Sequence, residues 1–399
     1  MDRKALVIAS TTVSMIVYGL VLGLVPAAAI WSSAPTLDVT IMYLTIPVGT
    51  LAGNLVVGRL TDLIGRKPAF IVTLALYGVG SLVVLASIDR WPMWVTLLGL
   101  AMAQLGLGGE MPAMLAYLAE VIEGRWKGPA LILITDISNL GVLLVGVIMY
   151  LYQSSSVPVS TSLLSLGLAL AATIAVILTT RFFLPESPEW ASVSRDVRGK
   201  IVRPQEGPGI AFRVLTLTGL VIATALTYAF LALTIGPILF PSRTGLMLIV
   251  YNVGELAGGV VAVAVLGPLR TRGLTLVSYL GGLLSMVGAA LVAERSSFGA
   301  FIAMLIINGV FGEMAWAARV ILEPLAFPAS YRGTAIALVR VVPYVLYAAS
   351  VFYLAYFTDV PEYMAYNVGL WAVGAVAAVL WALRGPEVLG PQSFKSRPQ

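Results

Sequence analysis

Hydrophobic residues run through this chain in long blocks rather than in alternation. We read twelve blocks, at 5–31, 37–58, 68–88, 92–121, 129–152, 158–183, 211–239, 243–267, 273–293, 297–324, 331–357 and 363–383. Each is about 20 residues or longer, enough for a helix to cross ~30 Å of hydrocarbon. The strict alternation of a membrane β-barrel is missing. The pattern predicts an all-α membrane protein with twelve transmembrane helices. Connections are short except for the polar segment from Pro185 to Ile210. That segment reads as a cytoplasmic linker, 185–210, between an N-terminal six-helix bundle, 1–184, and a C-terminal one, 211–399, with a short tail. The apolar run directly after Met1–Lys4 reads as a retained first helix, since a cleaved leader is shorter.

Two apolar spans are interrupted by the same charged pattern. Gly109-Glu110-Met111 is followed by Glu120, Arg125 and Gly128; Gly312-Glu313-Met314 is followed by Glu323, Arg332 and Gly333. The glutamates are 203 residues apart. Gly49–Gly53 and Gly254–Gly258 match at an offset of 205. Two such matches predict two pseudosymmetric bundles of the same orientation. An ionised carboxylate in mid-membrane costs about 2.5–3.5 kcal/mol on insertion scales, so such residues point to function.

Only 11% of the 399 residues are charged, against about 25% in soluble domains. Lysine and arginine bias the topology. With the N-terminus inside, one side holds Arg3, Lys4, Arg59, Arg66, Lys67, Arg125, Lys127, Arg181, the cluster from Arg195 to Arg213, Arg270, Arg272, Arg332, Arg384, Lys395 and Arg397; the other holds Arg90, Arg243 and Arg295. Both termini are expected in the cytoplasm of a prokaryotic cell, with the chain in its plasma membrane. The net charge of +5 follows from this bias and implies no nucleic-acid partner. Cysteine and histidine are absent, which excludes thiol chemistry and the usual pH switch and metal ligand. No metal or other cofactor is expected. Proton chemistry falls to carboxylates, whose protonated form burial favours.

The loop after the second span reads Gly58-Arg59-Leu60-Thr61-Asp62-Leu63-Ile64-Gly65-Arg66-Lys67. It resembles the signature loop of the major facilitator superfamily, G-x-L-x-D-x-x-G-R-K, at every defining position. Gly58 and Gly65 suit a tight turn, and Asp62 suits a helix N-terminus or an arginine across the halves. The second half shows only Arg270 and Arg272 there, with no acid. Pro185-Glu186-Ser187-Pro188-Glu189-Trp190 is similar to the P-E-S-P-R-W signature of sugar porters and organic-ion transporters, with Glu189 in place of arginine. The run from Gly106 to Pro112 is similar to the fourth helix of metabolite–proton symporters, with Met102 where many relatives carry arginine. Span 1 offers a polar stripe of Thr11, Ser14 and Tyr18 and no charge.

The resemblance implies the major facilitator fold and no enzymatic activity. It implies secondary active transport of a small organic metabolite by alternating access, proton-coupled symport first, with a proton gradient as energy source and the chain acting as a monomer. Gating is expected from Gly58, Asp62, Gly65, Arg66, Glu120, Arg125, Glu186, Glu323 and Arg332. Substrate or proton binding is expected from Glu110, Asp136, Asn139, Asn252, Glu255, Glu313, Arg340 and Tyr18. By the same resemblance, helices 1, 4, 7 and 10 line the cavity, and no deep charge is expected on helices 3, 6, 9 or 12. Asp136 and Arg340, 204 residues apart, are expected either to pair across the pseudo-axis or to leave Arg340 for an anionic substrate. Drug or organic-cation export by proton exchange is the alternative mode. A non-transporting sensor is the alternative of another class, disfavoured by the short tail after Leu383.

Overall fold

The computed structural model describes residues 3–154, 157–201, 208–295, 297–354 and 359–389. Arg203, Lys395 and Arg397, which entered the charge bias, lie outside them. Among the described residues the secondary structure is helical, without strands. The crossings are α1 (Leu6–Trp31), α2 (Thr36–Ile64), α3 (Arg66–Ser87), α4 (Met93–Val121), α5 (Gly124–Ser154) and α6 (Val159–Phe183). The second half gives α7 (Ile210–Leu239), α8 and α9 within Thr244–Arg295, α10 (Phe298–Leu325), α11 (Arg332–Tyr353) and α12 (Val360–Arg384). Residues 244–295 read as two crossings because the backbone breaks at Arg270, where φ is 55°. Twelve crossings thus stand where the hydrophobic blocks place them.

Local chemistry explains the breaks. Gly65 adopts φ 112° at the α2–α3 turn, a conformation that favours glycine. Two helices are interrupted at equivalent places, α5 at Ile137 and α11 at Arg340, 203 residues apart. The middle and second half of α7 contain π-helical turns at Ile222–Leu226 and Ala229–Thr234, a distortion often found at functional sites.

Packing sets α6 and α12 toward lipid, as the resemblance implies. Helix α6 keeps Leu164, Leu168 and Phe183 on its exterior, and α12 does the same with Leu383, as lipid contact requires. The halves meet where α2 packs on α11 and α5 on α8. Glycines bring backbones together there: a Cβ on Gly58 would lie 2.9 Å from Gly333 O, and one on Gly245 2.3 Å from Tyr150 N.

Candidate functional site

The twin glutamates occupy unlike surroundings. Glu110 on α4 is buried and turns away from the other half. It accepts hydrogen bonds from Thr73 Oγ1 on α3 and from the guanidinium of Arg181 on α6. Arg181 also donates to Ser14 Oγ at 2.9 Å and to Phe70 O. The expectation that α6 carries no deep charge is therefore wrong. Arg181 looks terminal in sequence, but its side chain runs inward and neutralises Glu110.

Glu313 on α10 has no such partner. The residue 203 positions after Arg181 is Arg384, which is exposed at the end of α12. Glu313 meets other acids instead. Asn139 Nδ2 on α5 donates to Glu313 Oε2 at 3.0 Å and to Asp136 Oδ1 at 3.2 Å. Glu255 on α8 lies close enough for its charge to act on Glu313. Like charges held this close oppose simultaneous ionisation. Small residues create the room: a Cβ on Gly258 would lie 2.9 Å from Glu313 Cβ, and one on Gly259 2.3 Å from Asp136 Cγ. All three acids are at most 5% exposed. Among the described residues none of them forms an ion pair, and Glu313 Oε1 has no hydrogen-bond partner.

Glu255 and Glu313 line a cavity of ≈ 70 Å³ between the halves, with Asn139 and Thr50 among its polar residues; contrary to expectation, no described residue of α4, Glu110 included, lines it. Tyr18, Tyr228, Trp316, Tyr344 and Tyr347 form its aromatic wall. Ligand pockets commonly measure about 300–1,000 Å³, so the cavity is narrow in this state. On the side away from the termini, Tyr43 Oη donates to Leu233 O at 3.3 Å and Gln153 Nε2 to Pro241 O at 2.7 Å. Asn252 lies beside the cavity and accepts from Tyr228 Oη at 3.1 Å.

The termini-bearing side is closed by an ion network across the halves. Arg66 reaches Asp62 at 2.9 Å and Glu120 at 2.5 Å. Arg332 reaches Glu120 at 2.7 Å and Glu189 at 3.0 Å. Asp62 caps α11, accepting from the backbone N–H of Gly333 at 3.0 Å and of Thr334 at 2.7 Å. Glu186 caps α3 through the N–H groups of Arg66 and Lys67. The second half has no acid in the place of Asp62, but it has a counterpart of Glu186. Glu387, beyond α12, accepts from the N–H of Thr271 at 3.1 Å and of Arg272 at 3.4 Å.

Three expected placements are corrected. Arg125 is exposed, its guanidinium 5.0 Å over the Trp126 ring, because it follows the end of α4 and points outward. Glu323 does not cross the halves; it holds Arg319 at 2.6 Å and Arg340 at 2.7 Å, all within the second half. Arg340 therefore neither meets Asp136 nor lines the cavity. The helix breaks show that Ile137, not Asp136, is its counterpart, and one position turns a helical side chain by about 100°. Sequence reasoning also missed Arg319, although it stands four residues before Glu323 on a buried helix, a spacing that pairs side chains.

Comparison with known proteins agrees with this geometry. The "Sugar (and other) transporter" family matches residues 8–200. The putative niacin/nicotinamide transporter NiaP of Bacillus subtilis is 31% identical over 153 residues, 38% of this chain and 36% of that one. The chain thus spans about a third of the length of this curated relative. Among solved structures, the proton:xylose symporter XylE of E. coli superposes with a TM-score of 0.73 at 13% identity, covering 95% of this chain and 96% of that one. The chain has the fold of these twelve-helix transporters. Its sequence likeness to sugar porters lies in the first half, and its fold likeness covers the whole. The E. coli fucose:proton symporter FucP gives a TM-score of 0.67 at 12% identity, over 93% of this chain and 97% of that one. In this chain the acids of α5 and α10 share the Asn139 amide, with the α8 acid nearby, and among the described residues none of them meets an arginine.

Proposed function

We propose that this protein is a secondary active transporter that carries a small organic solute across the cell membrane by alternating access, energised by protons bound at Glu255 and Glu313. One observation carries the proposal. Arg66, Arg181, Arg319, Arg332 and Arg340 are each held by a carboxylate, while the three acids beside the cavity share one another and an amide. Carboxylates in that position are stable in a low-dielectric interior only when protons reduce their charge. Opening one side of the cavity admits water and lets a proton leave. Opening the other lets one enter.

The two closures alternate. The ion network must part for the solute to exit toward the termini, and the contacts of Tyr43 and Gln153 must part for exit on the opposite side. The names of XylE and FucP as proton symporters support coupling to protons, and that of NiaP supports a small metabolite. Coupling direction follows from the charge of the solute. A neutral solute can travel with the proton in symport, whereas a cation seated on the same carboxylates displaces it. The second reading, exchange of an organic cation for a proton, is favoured by a cavity lining that includes Glu255 and Glu313 and no lysine or arginine among the described residues.

The test is proton coupling itself. In proteoliposomes, Glu313→Gln and Glu255→Gln should abolish pH-gradient-driven accumulation and keep solute exchange at equal pH. Accumulation that responds to the gradient as in the unmodified protein, in both variants, would remove these residues from the coupling site.

A further inference from the structure

The chamber's charge bears on its solute. Asp136, Glu255 and Glu313 meet at its α5–α8–α10 edge, and the nearest cations stand behind its wall. Arg319 and Arg340 are tied to Glu323, and their fields reach Tyr18 and Tyr344. The other titratable groups facing the acids are Tyr228 on α7 and Tyr251 on α8. Tyr228 is bonded to Asn252 and Tyr251 to Asn308. The protein therefore supplies protons but no fixed positive charge to this cluster.

Two buried polar atoms on the cavity wall are left without partners. They are Glu313 Oε1 and, independently of the acids, the Tyr347 hydroxyl. Tyr347 is 2% exposed, and a buried hydroxyl without a partner costs stability unless a ligand completes it. Around these atoms the wall is aromatic, and aromatic faces attract cations. The wall already receives one: Arg319 Cζ lies 4.3 Å from the Trp316 ring centroid. An anion would meet carboxylates, and a neutral sugar would need protons to stay on them. An ammonium offers three N–H donors and a positive charge.

We propose that the solute is a small protonated amine. Its ammonium group replaces a proton on Glu313 and donates to Tyr347 Oη, while its apolar part lies against Trp316 and Tyr228. This names the substrate class of the site proposed above and rests on that reading. One amine cation enters the carboxylate site as one proton leaves, so the cycle is an electroneutral exchange.

The test uses the full-length protein, purified in detergent for ligand-dependent thermal stabilisation and reconstituted for transport. The probes are benzylamine, tetramethylammonium, D-xylose and nicotinate. Benzylamine should stabilise the protein, more strongly at alkaline than at acid pH because protons compete, and xylose and nicotinate should not. Glu313→Gln should weaken benzylamine about tenfold or more. Tyr347→Phe removes only a hydroxyl and so preserves the fold; it should weaken benzylamine and leave tetramethylammonium, which has no N–H, unchanged. Stabilisation by xylose or nicotinate without benzylamine overturns the amine. If a pH gradient then drives xylose uptake that Glu313→Gln abolishes, the proton site stands without it. Benzylamine binding that ignores both pH and Glu313→Gln overturns the exchange and the proton site together.

Discussion

The side-chain amide of Asn139 donates to Glu313 Oε2 at 3.0 Å, joining α5 of the first half to α10 of the second. The same amide holds Asp136 at 3.2 Å, so both of its hydrogens bind carboxylates. Asn139→Leu would leave both acids without this donor. An unsatisfied buried acceptor costs about 1–3 kcal/mol, and the variant should melt at a lower temperature in detergent. The loss should shrink at acid pH, where protonated carboxyls no longer need the amide. A melting temperature equal to that of the unmodified protein at neutral pH would show that the amide does not hold these acids.

Glu110 and Glu313 are twins in sequence and opposites in environment. Glu110→Gln leaves the Arg181 guanidinium buried without its carboxylate, a change expected to cost about 3–5 kcal/mol. Glu313→Gln strands no cation and should leave folding yield nearly unchanged. Size-exclusion profiles after heating would compare the two. The double change of Glu110→Gln with Arg181→Met should recover most of the lost stability, because the charge and its partner leave together.

The termini-side closure can be read through the absence of cysteine from the natural chain. Ala337, 2% exposed, packs against Gly58 across the halves. A cysteine introduced there should resist a water-soluble maleimide while the network is intact. Arg332→Ala removes the bridges to Glu120 and Glu189. A loss of ~1.4 kcal/mol from the closed state raises the open population about tenfold, and labelling should rise accordingly. Equal labelling with and without Arg332 would mean that the network does not control the closure.

Glu186 and Glu387 cap equivalent helices, α3 and α9. Replacing either with alanine removes the acceptor for two backbone N–H groups at a helix start, a loss of about 1 kcal/mol. Glu387→Ala should lower the melting temperature without changing maleimide access at position 337. Glu186→Ala should change both, because the N–H it holds belongs to Arg66, the centre of the network.

The hydrophobic blocks alone determined the number and order of the crossings, since about 20 apolar residues in a membrane have little choice but to be helical. The repeated Gly-Glu-Met pattern revealed the duplicated halves, and the loop from Gly58 to Lys67 located the network of Asp62 and Arg66. Asp136, Asn139, Glu255 and Glu313 were also visible as polar residues where lipid would not admit them. Their partners were not. Which acid meets an arginine depends on helix rotation and on side-chain reach, and neither is written in local spacing. Arg181 extends inward from the end of α6 to Glu110, while its counterpart Arg384 stays exposed. Arg340 turns to Glu323, because a one-residue shift at the break in α11 rotates it away from Asp136. The sequence by itself therefore determined the fold and the list of buried charges. Only the tertiary structure decided that Glu110 is neutralised by a fixed cation and that, among the described residues, Glu313, Glu255 and Asp136 have no cation paired with them.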